Sequence, residues 1–258
     1  MTKILYQKKN LYWKKPHWQK FLIGAKLKNK NIKNACYLDT DIIINPQSPD
    51  IFKNYKQNKI LASSNIYKLP YDLKMAQKKV VFFRKNYLNR NYPLDSAMFA
   101  NLKQTYSYSN LSVQKDSLCA GLFIFNIKNY SDFFEKIFFK YKKNYKSLTG
   151  GDQVHFSYYV LKYQNVELLD YKFQAYWLYE MALNYPFLYY MNNKKIIKEC
   201  ILACLMNNYF LHFPGKWKEG QMWKVKIFEK KNLNYYKKLF NYYKKKVYGN
   251  PVGFISEK

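Results

Sequence analysis

The chain has 258 residues and a mass of 31.3 kDa, with 48% hydrophobic and 20% aromatic residues. This length allows a sizeable core and excludes a disulfide-stapled miniprotein, and the apolar content excludes an intrinsically disordered chain. The formal net charge of +29 favours a polyanionic or phosphorylated partner, or reflects AT-rich coding DNA. Because Arg84 and Arg90 are the only arginines, we expect no specific recognition of nucleic acid.

The four cysteines are Cys36, Cys119, Cys200 and Cys204, and no two of them form a C-x-x-C pair. We predict buried, reduced thiols and therefore a reducing, cytoplasmic compartment. No apolar run has the length of a secretory signal core or of a membrane span. We therefore expect neither export by that route nor a transmembrane segment.

The first predicted elements are a short amphipathic helix over residues 18–27 and a strand over residues 35–44. Prolines at 46 and 49 end this strand, whose apolar run is broken by two carboxylates. Further apolar runs of strand length cover residues 59–67 and 119–127. The polar and aromatic connection between them, residues 68–115, is predicted as loop and helix.

Further along, Ser131 is a suitable N-cap for a helix with Phe and Ile at helical spacing. Asp152 follows a glycine turn and begins another amphipathic helix, and residues 166–170 form a short strand. Strands that alternate with helices predict an α/β fold with a mostly parallel sheet and flanking helices.

The last part of the chain is different in character. Residues 222–247 show a basic, aromatic helical pattern with almost no acid. Two interpretations stay open: the aromatic face packs on the domain, or the helix lies on anionic lipid at a membrane surface. We predict one domain over residues 1–221 and a basic helical tail over residues 222–258.

Asp39 and Asp41 form the sharpest local feature. Residues i and i+2 project from the same face of a strand, and apolar neighbours predict that this strand is buried. Buried carboxylates need a cation or hydrogen-bond donors, and a pair with open positions suits Mg²⁺ or Mn²⁺. The alternative is a turn at the end of a strand, with ordinary solvated aspartates.

Two further motifs contain polar residues suited to a site. His212 precedes Pro-Gly, where Gly215 allows close backbone approach and Lys216 and Lys218 bring positive charge suited to a pyrophosphate. On its own, such a histidine is more often a core or turn residue. Asp152 is either a helix N-cap or, with Gln153, part of a polar pocket.

Four motifs in order resemble the retaining glycosyltransferases of family 8, which have the GT-A (Rossmann-like) fold and include lipopolysaccharide galactosyltransferases and glycogenin. They are YLDTD at 37–41, CAGLFIFN at 119–126, GDQ at 151–153, and the H-x-x-G-x-x-K spacing from His212 to Lys218. The resemblance extends from about residue 18 to residue 220.

The resemblance implies a site of three parts. Asp39, Asp41 and His212 would bind Mn²⁺ or Mg²⁺, and Asp39 would also lie near the donor ribose. Donor-binding residues by the same resemblance are Lys218 with Lys216 and Gly215 at the diphosphate, Ala120 and Gly121 near the donor sugar, and Lys20 in place of a usual arginine. Asp152 and Gln153 would lie by the transferred sugar.

The sequence departs from the family's pattern before the D-x-D motif, where the family usually has a longer nucleotide-binding part. Only 38 residues precede Asp39, so we expect that part to be incomplete. The predicted function is hexose transfer from a nucleotide sugar, a UDP-hexose, to a surface glycan or glycolipid, with retention, at the inner face of the cell membrane. The alternatives are an inactive remnant of the fold that binds membrane or a partner, and a basic nucleic-acid-binding module.

Overall fold

The computed structural model describes residues 16–53, 55–88, 96–140, 147–148, 151–228 and 233–248. Its strands are β1 (Asn34–Leu38), β2 (Ile42–Ile44), β3 (Ile60–Ser64), β4 (Leu118–Asn126), β5 (Val166–Leu168), β6 (Ala175–Tyr176) and β7 (Phe210–His212). Its α-helices are α1 (Ile23–Leu27), α2 (Leu73–Phe83), α3 (Leu102–Tyr108), α4 (Ile127–Lys140), α5 (Gln153–Tyr163), α6 (Trp177–Asn184), α7 (Lys194–Asn207) and α8 (Leu233–Tyr248). Shorter helical turns are Pro16–Leu22, Ser96–Phe99, Tyr171–Phe173, Pro186–Tyr189 and Glu219–Lys224, all 3₁₀, and the π-helix Arg84–Leu88.

These elements form two compact units that interleave along the chain. The described residues of the first unit belong to Met1–Leu38, Tyr55–Lys68 and Ser96–Leu169. Those of the second belong to Asp39–Asn54, Leu69–Asp95 and Asp170–Lys258. The division predicted between residues 221 and 222 falls inside the second unit, and as a functional division it stays a prediction.

The first unit contains a four-stranded sheet in the order β1-β4-β3-β5. Strand β4 is antiparallel to both β1 and β3, whereas β3 and β5 run parallel. All nine residues of β4 are buried, as its uninterrupted apolar sequence predicts. The aromatic core lies on this strand: the Phe123 ring centroid is 4.8 Å from that of Phe156 on α5 and 5.3 Å from that of Phe134 on α4.

The second unit contains a three-stranded sheet in the order β2-β7-β6. Strand β7 is antiparallel to β2 and parallel to β6. The α/β class is therefore confirmed, but the prediction of a mostly parallel sheet is wrong for the strands described, since three of their five pairings are antiparallel. An apolar run indicates that a strand is buried and does not specify the direction of its partner.

The helix predicted from Ser131 begins four residues earlier, at Ile127. Ser131 is buried inside α4, where its hydroxyl donates to the Ile127 carbonyl. The N-terminus of α4 is instead capped by Asn126, whose side-chain oxygen accepts from the Asn129 backbone N–H at 3.0 Å. Ser131 as N-cap is therefore wrong, because asparagine at the end of a strand supplies the same acceptor one turn earlier.

Most other predicted elements are present. Residues 18–27 are helical as a 3₁₀ turn followed by α1, the strands predicted over 59–67, 119–127 and 166–170 correspond to β3, β4 and β5, and Asp152 directly precedes α5.

The four cysteines are free thiols, and burial raises the pKa of Cys36 to about 12. The helix predicted over 222–247 is not continuous, since residues 226–228 are not helical. Across the described part of the chain, no helix has the length and apolarity needed to cross a bilayer.

His155 is a buried titratable residue of α5. It is 1% exposed, beside the Trp18 ring, and burial lowers its pKa from 6.5 to about 4. The unfolded chain therefore binds a proton below about pH 6.5 that the folded chain binds only near pH 4.

We expect His155 to contribute stability that is complete above pH 6.5 and is lost as the pH falls towards 4. Lowering the pKa from 6.5 to about 4 corresponds to about 3 kcal/mol. Urea unfolding of His155→Phe between pH 7 and 4 should show a correspondingly weaker decline than the wild type. An unchanged pH slope in the variant would contradict this assignment.

Candidate metal centre

The D-x-D motif occupies the turn between β1 and β2. The backbone N–H of Ile42 donates to the Asp39 carbonyl at 3.3 Å, which closes this turn. The prediction that both carboxylates project from one face of a continuous buried strand is therefore wrong. Two charges inside such a strand would be desolvated without compensation, whereas the turn leaves the Asp41 side chain 27% exposed.

His212 is the last residue of β7 and lies between the two neighbouring strands of the second sheet. It is paired in register with Ile42 of β2 and with Tyr176 of β6. The next residue, Phe213, donates its backbone N–H to the Asp41 carbonyl at 3.0 Å. These contacts fix the main chain of His212 beside the D-x-D turn.

Asp39, Asp41 and His212 form a group that could hold a metal ion. One ligand atom from each residue lies within 4.8 Å of those of the other two. The Nε2 atom of His212 is 3.4 Å from Oδ1 of Asp41, and the imidazole is only 6% exposed. Ligand atoms bound to one small divalent ion at right angles are separated by about 3 Å, and the Asp41–His212 pair is close to that spacing.

The other imidazole nitrogen of His212 contacts Gln174, a residue that the sequence did not indicate. The Gln174 Nε2 and His212 Nδ1 atoms are 2.7 Å apart, and Gln174 is 1% exposed. Gln174 lies between the 3₁₀ turn Tyr171–Phe173 and β6. No motif distinguishes this glutamine, and only the pairing of β6 with β7 brings it to the histidine.

The segment after β7 contains the glycine and lysines predicted to contact a diphosphate. Gly215 has φ = +93°, a conformation that favours glycine. The neighbouring Lys216 is exposed. Gly220 packs on the same turn so closely that a Cβ there would lie 2.5 Å from the Gly215 carbonyl oxygen. The glycines therefore give this segment its shape and leave Lys216 at the surface.

Lys218 is held by the main chain of the same unit. Its ammonium donates to the carbonyls of Tyr189, at 3.0 Å, and Met191, at 2.9 Å. Partial burial lowers the pKa of Lys218 below its ordinary value. An ammonium has three N–H donors, so two fixed bonds leave one N–H for another acceptor.

Lys20 and Asp152, which were predicted as donor- and sugar-binding residues, form a buried ion pair in the first unit. Their Nζ and Oδ2 atoms are 2.9 Å apart, and the side chains are 3% and 6% exposed. Lys20 also donates to the Ala120 carbonyl at 2.8 Å and lies over the Tyr37 ring. Burial raises the pKa of Asp152, and the Lys20 charge opposes that rise.

Asp152 occupies the N-cap position of α5, but its side chain makes no capping hydrogen bond. Its carboxylate is directed to Lys20 instead, so the interpretation of Asp152 as an ordinary capping residue is wrong. Gln153 is the first residue of α5 and is half-buried. Gly121 lies within β4, where its N–H is 3.3 Å from the Cys119 sulfur.

The predicted site residues therefore fall into two groups, one in each unit. The second unit contains Asp39, Asp41, His212, Gly215, Lys216 and Lys218, and the first contains Lys20, Ala120, Gly121, Asp152 and Gln153. The metal-ligand group is brought together as predicted, and the Lys20–Asp152 pair joins a predicted donor residue to a predicted sugar-binding one.

No protein-family model, curated protein or solved structure matches the chain.

Proposed function

We propose that the protein is a metal-dependent glycosyltransferase that transfers a hexose from a nucleotide sugar, a UDP-hexose, to a glycan or glycolipid acceptor with retention. The observation that carries this proposal is the convergence of Asp39 and Asp41 with His212. The sequence resemblance selects these three residues as one ligand set, although about 170 residues separate the histidine from the aspartates. Their geometry supports that selection independently of the resemblance.

The donor set fits Mn²⁺ or Mg²⁺. Two carboxylates and one imidazole offer hard oxygen ligands and a single nitrogen, without the thiolates that select softer metals. A divalent cation held there would neutralise charge on the departing nucleoside diphosphate. Asp39 and Asp41 would hold it from the turn, and His212 from the end of β7.

Lys218 and Lys216 would bind the diphosphate oxygens. The two carbonyl contacts fix the direction of the Lys218 ammonium and leave one N–H for a phosphate oxygen. A pre-positioned donor of this kind needs no reorganisation when negative charge develops on the leaving group. Gly215 would allow the backbone to approach the same diphosphate.

Asp152 and Gln153 would contact the transferred sugar, and Ala120 and Gly121 would border it. Asp152 is held by Lys20, so its carboxylate has a fixed position before any sugar binds. A fixed carboxylate orients sugar hydroxyls without an ordering cost at the time of binding. We assign these residues positioning roles and no covalent step.

Titration of UDP into the purified protein by calorimetry, with and without Mn²⁺, tests the proposal. We expect binding only in the presence of Mn²⁺, followed by metal-dependent hydrolysis of at least one donor in a panel of UDP-hexoses. A protein that folds but neither binds UDP with Mn²⁺ nor hydrolyses any donor would favour an inactive fold. Binding of polynucleotides that falls steeply with salt and ignores Mn²⁺ would favour the nucleic-acid-binding alternative.

We further propose that α8 places the protein on the anionic inner face of the cell membrane. Tyr236 and Phe240 of this helix are buried, whereas Tyr235 and Tyr242 are 59% and 57% exposed. The exposed pair is separated by seven residues and so lies on one face of the helix. Exposed lysines accompany these rings, and aromatic and basic side chains together are typical of helices at a lipid surface.

Replacing Lys237 and Lys238 of α8 by glutamine should weaken binding to phosphatidylglycerol vesicles on the order of 30-fold, because each lysine near an anionic surface contributes about 1 kcal/mol. Vesicle co-sedimentation measures the change. The matched control, glutamine at the exposed Lys78 and Lys79 of α2, removes the same charge elsewhere on the second unit. Equal loss in both variants would contradict a specific role for α8.

A further inference from the structure

Gln174 is a buried amide whose side chain has a polar contact with a metal-ligand residue. Its Nε2 atom is 2.7 Å from Nδ1 of His212, on the side of the ring opposite to Asp41. Gln174 is fixed at its own backbone as well, since its N–H donates to the Tyr171 carbonyl at 2.7 Å. The amide is therefore held against the imidazole from outside the group that could bind metal.

This contact restrains the His212 ring at the nitrogen that faces away from Asp41. A glutamine amide carries both a donor and an acceptor, so it can pair with Nδ1 in either tautomer of the neutral imidazole. The other ring nitrogen, Nε2, lies 3.4 Å from Oδ1 of Asp41. The imidazole is therefore held between Gln174 and the aspartate.

A cation bound by His212 would need one tautomer. To act as a ligand, Nε2 must present its lone pair, so the proton of the neutral ring would lie on Nδ1. That buried Nδ1–H needs an acceptor, because an unsatisfied buried donor is costly. The carbonyl oxygen of the Gln174 amide can supply this acceptor, since the amide already contacts Nδ1.

We infer that Gln174 is the positioning residue for His212: its amide fixes the imidazole, and its oxygen accepts from Nδ1–H when Nε2 binds a cation. Gln174 is buried and lies 2.7 Å from Nδ1, so no rearrangement of the main chain is needed. The inference rests on the metal site of the proposed function. It gives the orientation of His212 to a residue outside the resemblance motifs.

The test compares Mn²⁺ affinity, measured by electron paramagnetic resonance, for the wild type and two variants. Gln174→Leu supplies neither donor nor acceptor and should bind Mn²⁺ about 10–100-fold more weakly, the usual cost of losing the partner of a ligating histidine. Gln174→Glu supplies a permanent acceptor for Nδ1–H and should bind at least as tightly as the wild type. Asn208→Leu, which removes a buried amide elsewhere in the second unit, is the control and should leave affinity unchanged.

The order of the two variants separates positioning from packing. If Gln174 served only packing, the buried charge of Gln174→Glu would weaken Mn²⁺ binding more than Gln174→Leu does. Weaker Mn²⁺ binding by Gln174→Glu than by Gln174→Leu would therefore overturn the inference. Wild-type affinity in Gln174→Leu would overturn it as well. Failure of the wild type itself to bind Mn²⁺ would overturn both the inference and the metal site on which it rests.

Discussion

Replacing Asp41 by alanine is expected to weaken Mn²⁺ binding by about 100-fold or more, since loss of an outer partner of a ligand already costs about 10–100-fold. The Asp41 carboxylate supplies one of the three converging ligand atoms and lies 3.4 Å from the imidazole Nε2 of His212. Without it, one carboxylate and one imidazole remain, and UDP binding that depends on metal should disappear. Calorimetry with Mn²⁺ and then UDP measures both losses.

The matched control for this variant is Asp50→Ala. Asp50 is an exposed aspartate of the same unit, whose carboxylate accepts the Phe52 backbone N–H at 2.9 Å. The Asp50→Ala variant removes the same charge without touching the candidate site. Its Mn²⁺ affinity should therefore stay within about twofold of the wild type, a change in binding free energy within about ±0.5 kcal/mol. If Asp41→Ala changed only the midpoint of thermal unfolding and kept Mn²⁺ affinity, Asp41 would be a structural residue.

The second large effect is expected from the buried ion pair between Arg84 and Glu219. The Nε and Nη2 atoms of Arg84 both lie 2.5 Å from Oε1 of Glu219, and the side chains are 3% and 0% exposed. Arg84→Met leaves a carboxylate buried without its cation, which should lower the free energy of unfolding by about 3–5 kcal/mol. Urea unfolding followed by circular dichroism measures the change.

A double variant tests whether the cost comes from the uncompensated charge. Arg84→Met combined with Glu219→Leu removes both charges and should recover most of the loss, because a buried pair contributes little net stability compared with apolar side chains. Lys85→Met, an exposed neighbour in the same π-helix, should change stability by less than about 0.5 kcal/mol. A double variant as unstable as Arg84→Met would indicate that lost packing on Trp217, rather than charge, is responsible.

Elements whose local sequence carries a strong signal were predicted well. The apolar run of β4 contains no charge over nine residues, and its burial follows from that composition. Helix α5 begins where a glycine turn and Asp152 predict it. The pairing directions could not be predicted, because they depend on which strand lies beside which, and neighbours such as β2 and β7 are far apart in sequence.

The candidate site was predictable only in part. The resemblance selected Asp39, Asp41 and His212 as one ligand set, and their convergence is confirmed. The turn at the D-x-D motif was only the alternative prediction, because carboxylates at i and i+2 have the same spacing in a strand and in a turn that interrupts it. Gln174 was missed for a different reason, since its importance arises from a contact across 38 residues that leaves no local pattern.

The pairing of β2 with β7 has a consequence for how the protein is made. Every segment of the first unit has been synthesised once residue 169 is added, but the second sheet needs residues 210–212. At about 5–20 residues per second, His212 is added on the order of 10–30 s after the aspartates of the D-x-D turn. Translation therefore supplies every residue of the aromatic core before the last residue of the candidate metal centre, so a ribosome stalled before residue 212 would carry a nascent chain with two of its three residues.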